Sequence, residues 1–72
     1  MKKTIYSKKY QNVVDGLKDV RTNLGLTQKE VSLKLRKPQS YISKIERGER
    51  RLDIVELEDL AKIYNKNITY FI

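Results

Sequence analysis

Cysteine, histidine and tryptophan are all absent from this sequence of 72 residues. Without cysteine there is no disulfide and no thiolate metal site. Without histidine the usual zinc ligand is missing, and so is the commonest general base. Proline occurs once, at Pro38, and glycine three times, so few positions force a helix to break. No apolar run approaches the ~20 residues of a membrane span. Met1-Lys2-Lys3 has the basic character of a signal-peptide start, but no apolar stretch of ~7–15 residues follows it. These absences lead us to expect a soluble, cytoplasmic protein with no cofactor, no metal and no membrane partner. An enzyme is not expected, because neither a glycine-rich phosphate loop nor a nucleophile paired with a base is present. A chain this short buries only ~60% of its unfolded surface. Its stability must come from an unaided core or from one extended by self-association.

Positive charge is what the chain has in excess. Lys and Arg number 16 against 9 Asp and Glu, a net of +7. Residues 1–52 hold 14 basic and 5 acidic side chains, whereas residues 53–72 hold 2 and 4. A polyanion-binding surface requires such a one-sided distribution, although a solubilising surface would also produce it.

The apolar pattern is helical throughout. Residues 1–7 read as a basic arm, and Ser7 is an N-cap. Tyr10, Val13, Val14, Leu17, Val20 and Leu24 recur at spacings of three and four, which predicts a helix from Lys8 to Leu24 closed by Gly25. Thr27 with Glu30 forms a capping box ahead of a short helix, Gln28 to Leu35, with Val31 and Leu35 inward. Pro38 cannot continue that helix but suits the start of the next, Gln39 to Arg47, with Ile42 and Ile45 inward and Gly48 at its end. Asp53 and Glu56 repeat the capping signature before a fourth helix, to about Asn65, whose apolar side is Val55, Leu57, Leu60, Ala61 and Tyr64. Asn67 caps a last turn, Ile68 to Ile72. No alternating run argues for a strand. The predicted class is all-α, a compact bundle of four to five short helices, with the arm at 1–7 and the domain at 8–72.

Two short helices joined by a three-residue break form a helix-turn-helix pattern. The segments Leu24-Gly25-Leu26-Thr27-Gln28, Gln39-Ser40-Tyr41-Ile42-Ser43-Lys44-Ile45-Glu46 and Arg47-Gly48-Glu49-Arg50 resemble, in order and spacing, the Cro-type or xenobiotic-response-element (lambda-repressor-like) helix-turn-helix family. The resemblance covers roughly residues 8–72. It implies a sequence-specific transcriptional regulator of double-stranded DNA, commonly a repressor. Three positions depart from the family pattern. Ser32 stands where a small residue such as alanine is usual. Arg36 stands where glycine is usual, so the turn there is expected to be strained or differently shaped. Lys37 replaces an apolar residue, and its stem could cover the core while its amine reaches water.

A helix in the major groove reads bases with its first residues and its outward face. On the third helix these are Gln39, Ser40, Ser43 and Lys44. Glutamine matches the N6 and N7 edge of adenine, and lysine the O6 and N7 acceptors of guanine. The resemblance places Gln28 on phosphate, bracing the Gln39 position. Arg47, Arg50 and Arg51 are expected beside the DNA backbone, where they position without specifying. Tyr41 either reaches phosphate through its hydroxyl or packs on the surface. Arg21 and Glu46 resemble a pair that family members join in an inward salt bridge. Lys2, Lys3, Lys8 and Lys9 could add non-specific affinity.

A homodimer on a palindromic operator is expected, because one reading head covers only a few base pairs. The candidate dimer contact is Ile68, Tyr70, Phe71 and Ile72 with Tyr64, unless these residues complete the monomer's core. The rival function is a protein-binding module. Some family members are antitoxins that also bind their own operator, and solitary domains of this size resemble restriction-modification controller proteins.

Overall fold

A computed structural model describes residues 7–72. The basic arm with Lys2 and Lys3 therefore lies outside the described residues, apart from Ser7. Four α-helices follow in order: α1 (Lys8–Asn23), α2 (Gln28–Lys34), α3 (Ser40–Glu46) and α4 (Ile54–Ile63), then a single 3-10 turn, Ile68–Tyr70. No strand is present among the described residues. The class is all-α.

Each helix begins and ends for a local reason. The Ser7 hydroxyl accepts from the Tyr10 amide at 3.1 Å. Thr27 and Glu30 exchange both bonds of a capping box, at 3.0 and 2.8 Å. Asp53 and Glu56 do the same for α4, at 2.8 and 3.0 Å. Only α3 lacks a side-chain cap: Gln39 already has helical dihedrals, and the Tyr41 amide bonds to the Pro38 carbonyl at 2.9 Å. The helix therefore starts one residue later than the pattern predicts.

The four helix ends share one geometry. At each, a residue with positive φ follows the C-cap: Gly25 at 74°, Arg36 at 59°, Gly48 at 74° and Asn65 at 58°. After α2, the amides of Arg36 and Lys37 return to the carbonyls of Leu33 and Ser32 at 3.0 and 2.9 Å. This is the paired 6→1 and 5→2 bonding of a Schellman end, and the other three helices repeat it. The Arg36 turn is thus the ordinary shape, adopted by a residue poorly suited to it.

The core is built from Val13, Val14, Leu17 and Val20 of α1, Val31 of α2, Tyr41, Ile42 and Ile45 of α3, and Leu57, Leu60 and Ala61 of α4, with Leu52, Tyr64 and Phe71. Of the residues expected in the core, Tyr10 and Leu35 are only half-buried, and two more are exposed. Leu24 is 50% exposed and Val55 60% exposed. Leu24 sits at the C-cap, beyond the stripe that faces α3. Val55 lies in the first turn of α4, on the side away from Leu57 and Leu60. Tyr64 and Phe71, expected as candidate dimer contacts, instead complete the core at 1% and 8% exposure. Tyr70 and Ile72 remain outside. Tyr10 ties α1 to the loop after α3, its hydroxyl accepting from the Leu52 amide at 2.8 Å.

Left-handed geometry costs a β-carbon-bearing residue ~1–2 kcal/mol, part of which glycine's extra unfolded-state entropy offsets. Arg36→Gly is therefore expected to stabilise the fold by ~0.5–1 kcal/mol, raising Tm by a few degrees in thermal denaturation. A lower Tm would contradict this account of the turn.

Candidate nucleic-acid interface

Helix α3 has only seven residues, too few to persist alone. Tyr41, Ile42 and Ile45 are buried, which pins one side of it to the core. Ser40, Ser43, Lys44 and Arg47 share the opposite side by their spacing of three and four. Gln39, Ser40, Lys44 and Arg47 are exposed, and Ser43 is half-buried. The start of the helix is tied to α2 through Ser32, whose buried hydroxyl donates to the Gln39 carbonyl at 3.4 Å.

A buried ion pair sets the tilt of α3. Arg21 of α1 donates Nε to Glu46 Oε2 at 2.6 Å and Nη2 to Oε1 at 3.0 Å. Its Nη1 donates to the Leu26 carbonyl at 2.7 Å. Gln28 of α2 adds Nε2 to Glu46 Oε1 at 2.8 Å. The two charged side chains are 10% and 5% exposed. The Glu46 hydrogen bonds outweigh burial and raise the Arg21 pKa further. Gln28 thus braces the ion pair rather than Gln39, which differs from the brace the resemblance implied.

The loop after α3 carries two more pairs. Arg47 lies against Glu49, Nε to Oε2 at 3.1 Å and Nη2 to Oε1 at 3.0 Å, and its Nη1 donates to Ser43 Oγ at 2.8 Å. Arg50 forks onto Glu56 at 3.2 and 3.0 Å. The Arg50 guanidinium carbon also sits 4.7 Å from the centre of the Tyr41 ring, and Lys37 Nζ 5.4 Å from it, both within cation–π reach. Tyr41 takes the packing alternative: it is buried, with the Glu56 carboxylate near its hydroxyl. Burial first, and the Glu56 charge second, push its pKa up to about 12. Arg51 is exposed, with its guanidinium 5.8 Å from the Tyr10 ring.

Lys37, Pro38, Ser40, Tyr41, Lys44 and Arg50 line a shallow cleft of about 300 Å³ at the start of α3. Three cations around a small opening suit a phosphate. Sequence reasoning gave Lys37 no part in the site and saw Glu56 only as a cap. The Arg47-Gly48-Glu49-Arg50 run did contain a readable signal, a carboxylate two residues from a guanidinium across a glycine turn. The Arg50–Glu56 pair left none, because the loop between them sets their distance.

The model of a helix-turn-helix family, the Cro/C1 type, matches residues 17–71. The chain belongs to this family. It is similar to the solved structure of an XRE-family-like protein from Pseudomonas syringae pv. tomato, at 38% identity and a TM-score of 0.82, over 88% of this chain and 77% of that one. It is also similar to a single-site mutant of the restriction-modification controller protein C.Esp1396I, at 30% identity and a TM-score of 0.81, over 93% of this chain and 85% of that one. No curated protein sequence matches this chain. Family and fold together support a DNA-binding transcriptional regulator. Among the described residues no helix is long and apolar enough to cross a membrane.

Glu56 makes the site's support pH-dependent. Its hydrogen bonds from Arg50, and then the Asp53 amide, hold its carboxyl at about 2, well below the ordinary 4.5. A depressed carboxylate pKa contributes stability above the unfolded value, and that stability is lost as pH falls through the folded one. Glu56→Gln retains an oxygen for the capping box. It should lower stability at neutral pH and flatten the fall in Tm between about pH 4.5 and 2. A variant as acid-sensitive as the parent would contradict this role.

Proposed function

We propose that the chain is a sequence-specific repressor that lays residues 39–47 in the major groove of duplex DNA. The observation that carries this reading is the position of Gln39, Ser40, Ser43 and Lys44 on the outward side of a helix whose inward side is locked to the core. In it, Gln39 pairs with adenine, Lys44 with guanine, and Ser40 and Ser43 with neighbouring base edges. Gln28, Arg47, Arg50 and Arg51 take the DNA backbone, joined by Lys37 at the cleft. Arg21 and Glu46 orient the reading helix without touching DNA. Its role is binding, not catalysis.

The reading includes a homodimer on a palindrome. Ile54 and Ile72, 63% and 71% exposed, line one cleft, and Val55, next to Ile54 in sequence, is 60% exposed; exposed apolar clusters mark an interaction surface. With Tyr70 they replace Tyr64 and Phe71 as the dimer contact. Similarity to a controller protein over most of both chains supports a second, compatible reading, control of a restriction-modification operon.

Selection from randomised duplexes tests the proposal. It should enrich two inverted half-sites about one helical turn apart, bound by two chains. Gln39→Ala should cost ~1–3 kcal/mol and relax one base position, whereas Arg51→Ala should weaken all sequences alike and lower the salt slope by ~1. The reading fails if nothing is enriched and binding is insensitive to salt.

A further inference from the structure

We propose that Glu49 is an intramolecular competitor for the DNA backbone: it occupies Arg47 in the unbound protein, and a phosphate must displace it. The proposal rests on the DNA-binding reading above.

The geometry is that of a substitute ligand. Arg47 is the C-cap of α3, and Gly48, at a φ of 74°, turns the chain back on itself. The Glu49 amide bonds to the Lys44 carbonyl at 2.8 Å, which fixes the backbone of the returning residue. The Glu49 carboxylate then meets the guanidinium side-on, at 3.1 and 3.0 Å. A guanidinium fork accepts a carboxylate or a phosphate with the same two-point geometry. Ser43 Oγ holds the third point at 2.8 Å and keeps Arg47 folded along the outer side of α3. The side chains of Arg47 and Glu49 are 55% and 39% exposed. An exposed pair is weak enough to be exchanged, so Glu49 tunes the contact without abolishing it.

Glu56 holds Arg50 in a similar fork but also caps α4, so altering it would change stability as well. Glu49 is in neither capping box, and Glu49→Gln preserves its size.

The test is a double-mutant cycle of Glu49→Gln and Arg47→Ala, read as affinity for a random-sequence duplex across a salt series. Thermal denaturation of each variant checks that the fold is kept. Glu49→Gln is expected to tighten binding ~2–5-fold at low salt and to steepen the salt slope by less than the ~0.9 of a whole phosphate contact, because Arg47 reaches phosphate in both proteins. Most of that gain should vanish when Arg47 is alanine. An equal gain in both backgrounds would overturn the proposal, because the effect would then be general repulsion and not competition for Arg47. A parent protein that binds while Glu49→Gln matches it sinks the proposal alone. A parent protein with no salt-dependent binding sinks the functional reading, and the proposal with it.

Discussion

Arg21 and Glu46 meet where α1, α2 and α3 converge, and the placement of α3 depends on that meeting. A buried charge without a partner is strongly unfavourable, so each group must find the other for the chain to fold compactly. Arg21 uses Nε and Nη2 on Glu46 and Nη1 on the Leu26 carbonyl, and Gln28 joins from α2. Directional bonds from two helices and a turn leave α3 one orientation. Apolar packing by Ile42 and Ile45 holds the helix down but does not fix its rotation so tightly. The ion pair therefore contributes register more than net stability, and register is what a base-reading surface requires.

Around that fixed centre, charge is handled in a second way. Two of the arginines near the end of α3 lie in forks with carboxylates, Arg47 with Glu49 and Arg50 with Glu56. Tyr41 gathers Lys37 and Arg50 onto its ring. The basic surface is thus ordered before any polyanion arrives. Pre-ordered side chains lose less freedom on binding, but each carboxylate they meet also resists the exchange. In the proposed complex, the balance between these effects sets how strongly the DNA backbone is gripped.

Much of the fold was legible because its signals are local. Ser7, Thr27 with Glu30, Asp53 with Glu56, and Asn67 each mark a helix start through bonds spanning two or three residues. Gly25 and Gly48 mark ends through their freedom at positive φ. Arg36 hid the same end behind an unsuited residue. What was not legible depends on tertiary position. Periodicity put Leu24 and Val55 on apolar faces, yet which part of a face meets a neighbour depends on where that neighbour lies. Tyr64 and Phe71 could equally have covered a partner or the core, and the return of the chain after α4 decided for the core. On α3, spacing did identify the outward residues, because two buried isoleucines three apart define the inward side of so short a helix. Glu49 and Glu56 were missed as electrostatic partners because a loop, not a helix, brings them to their arginines.

The central claim is that the outward side of α3 faces DNA. Amide chemical-shift mapping during titration with a selected duplex tests it most directly. The account predicts the largest perturbations at residues 28–29 and 37–44 and at Arg47, Arg50 and Arg51, with the α4 surface around Ile54 and Val55 little affected. Perturbations centred on α4 and the final turn, with α3 unchanged, would contradict it.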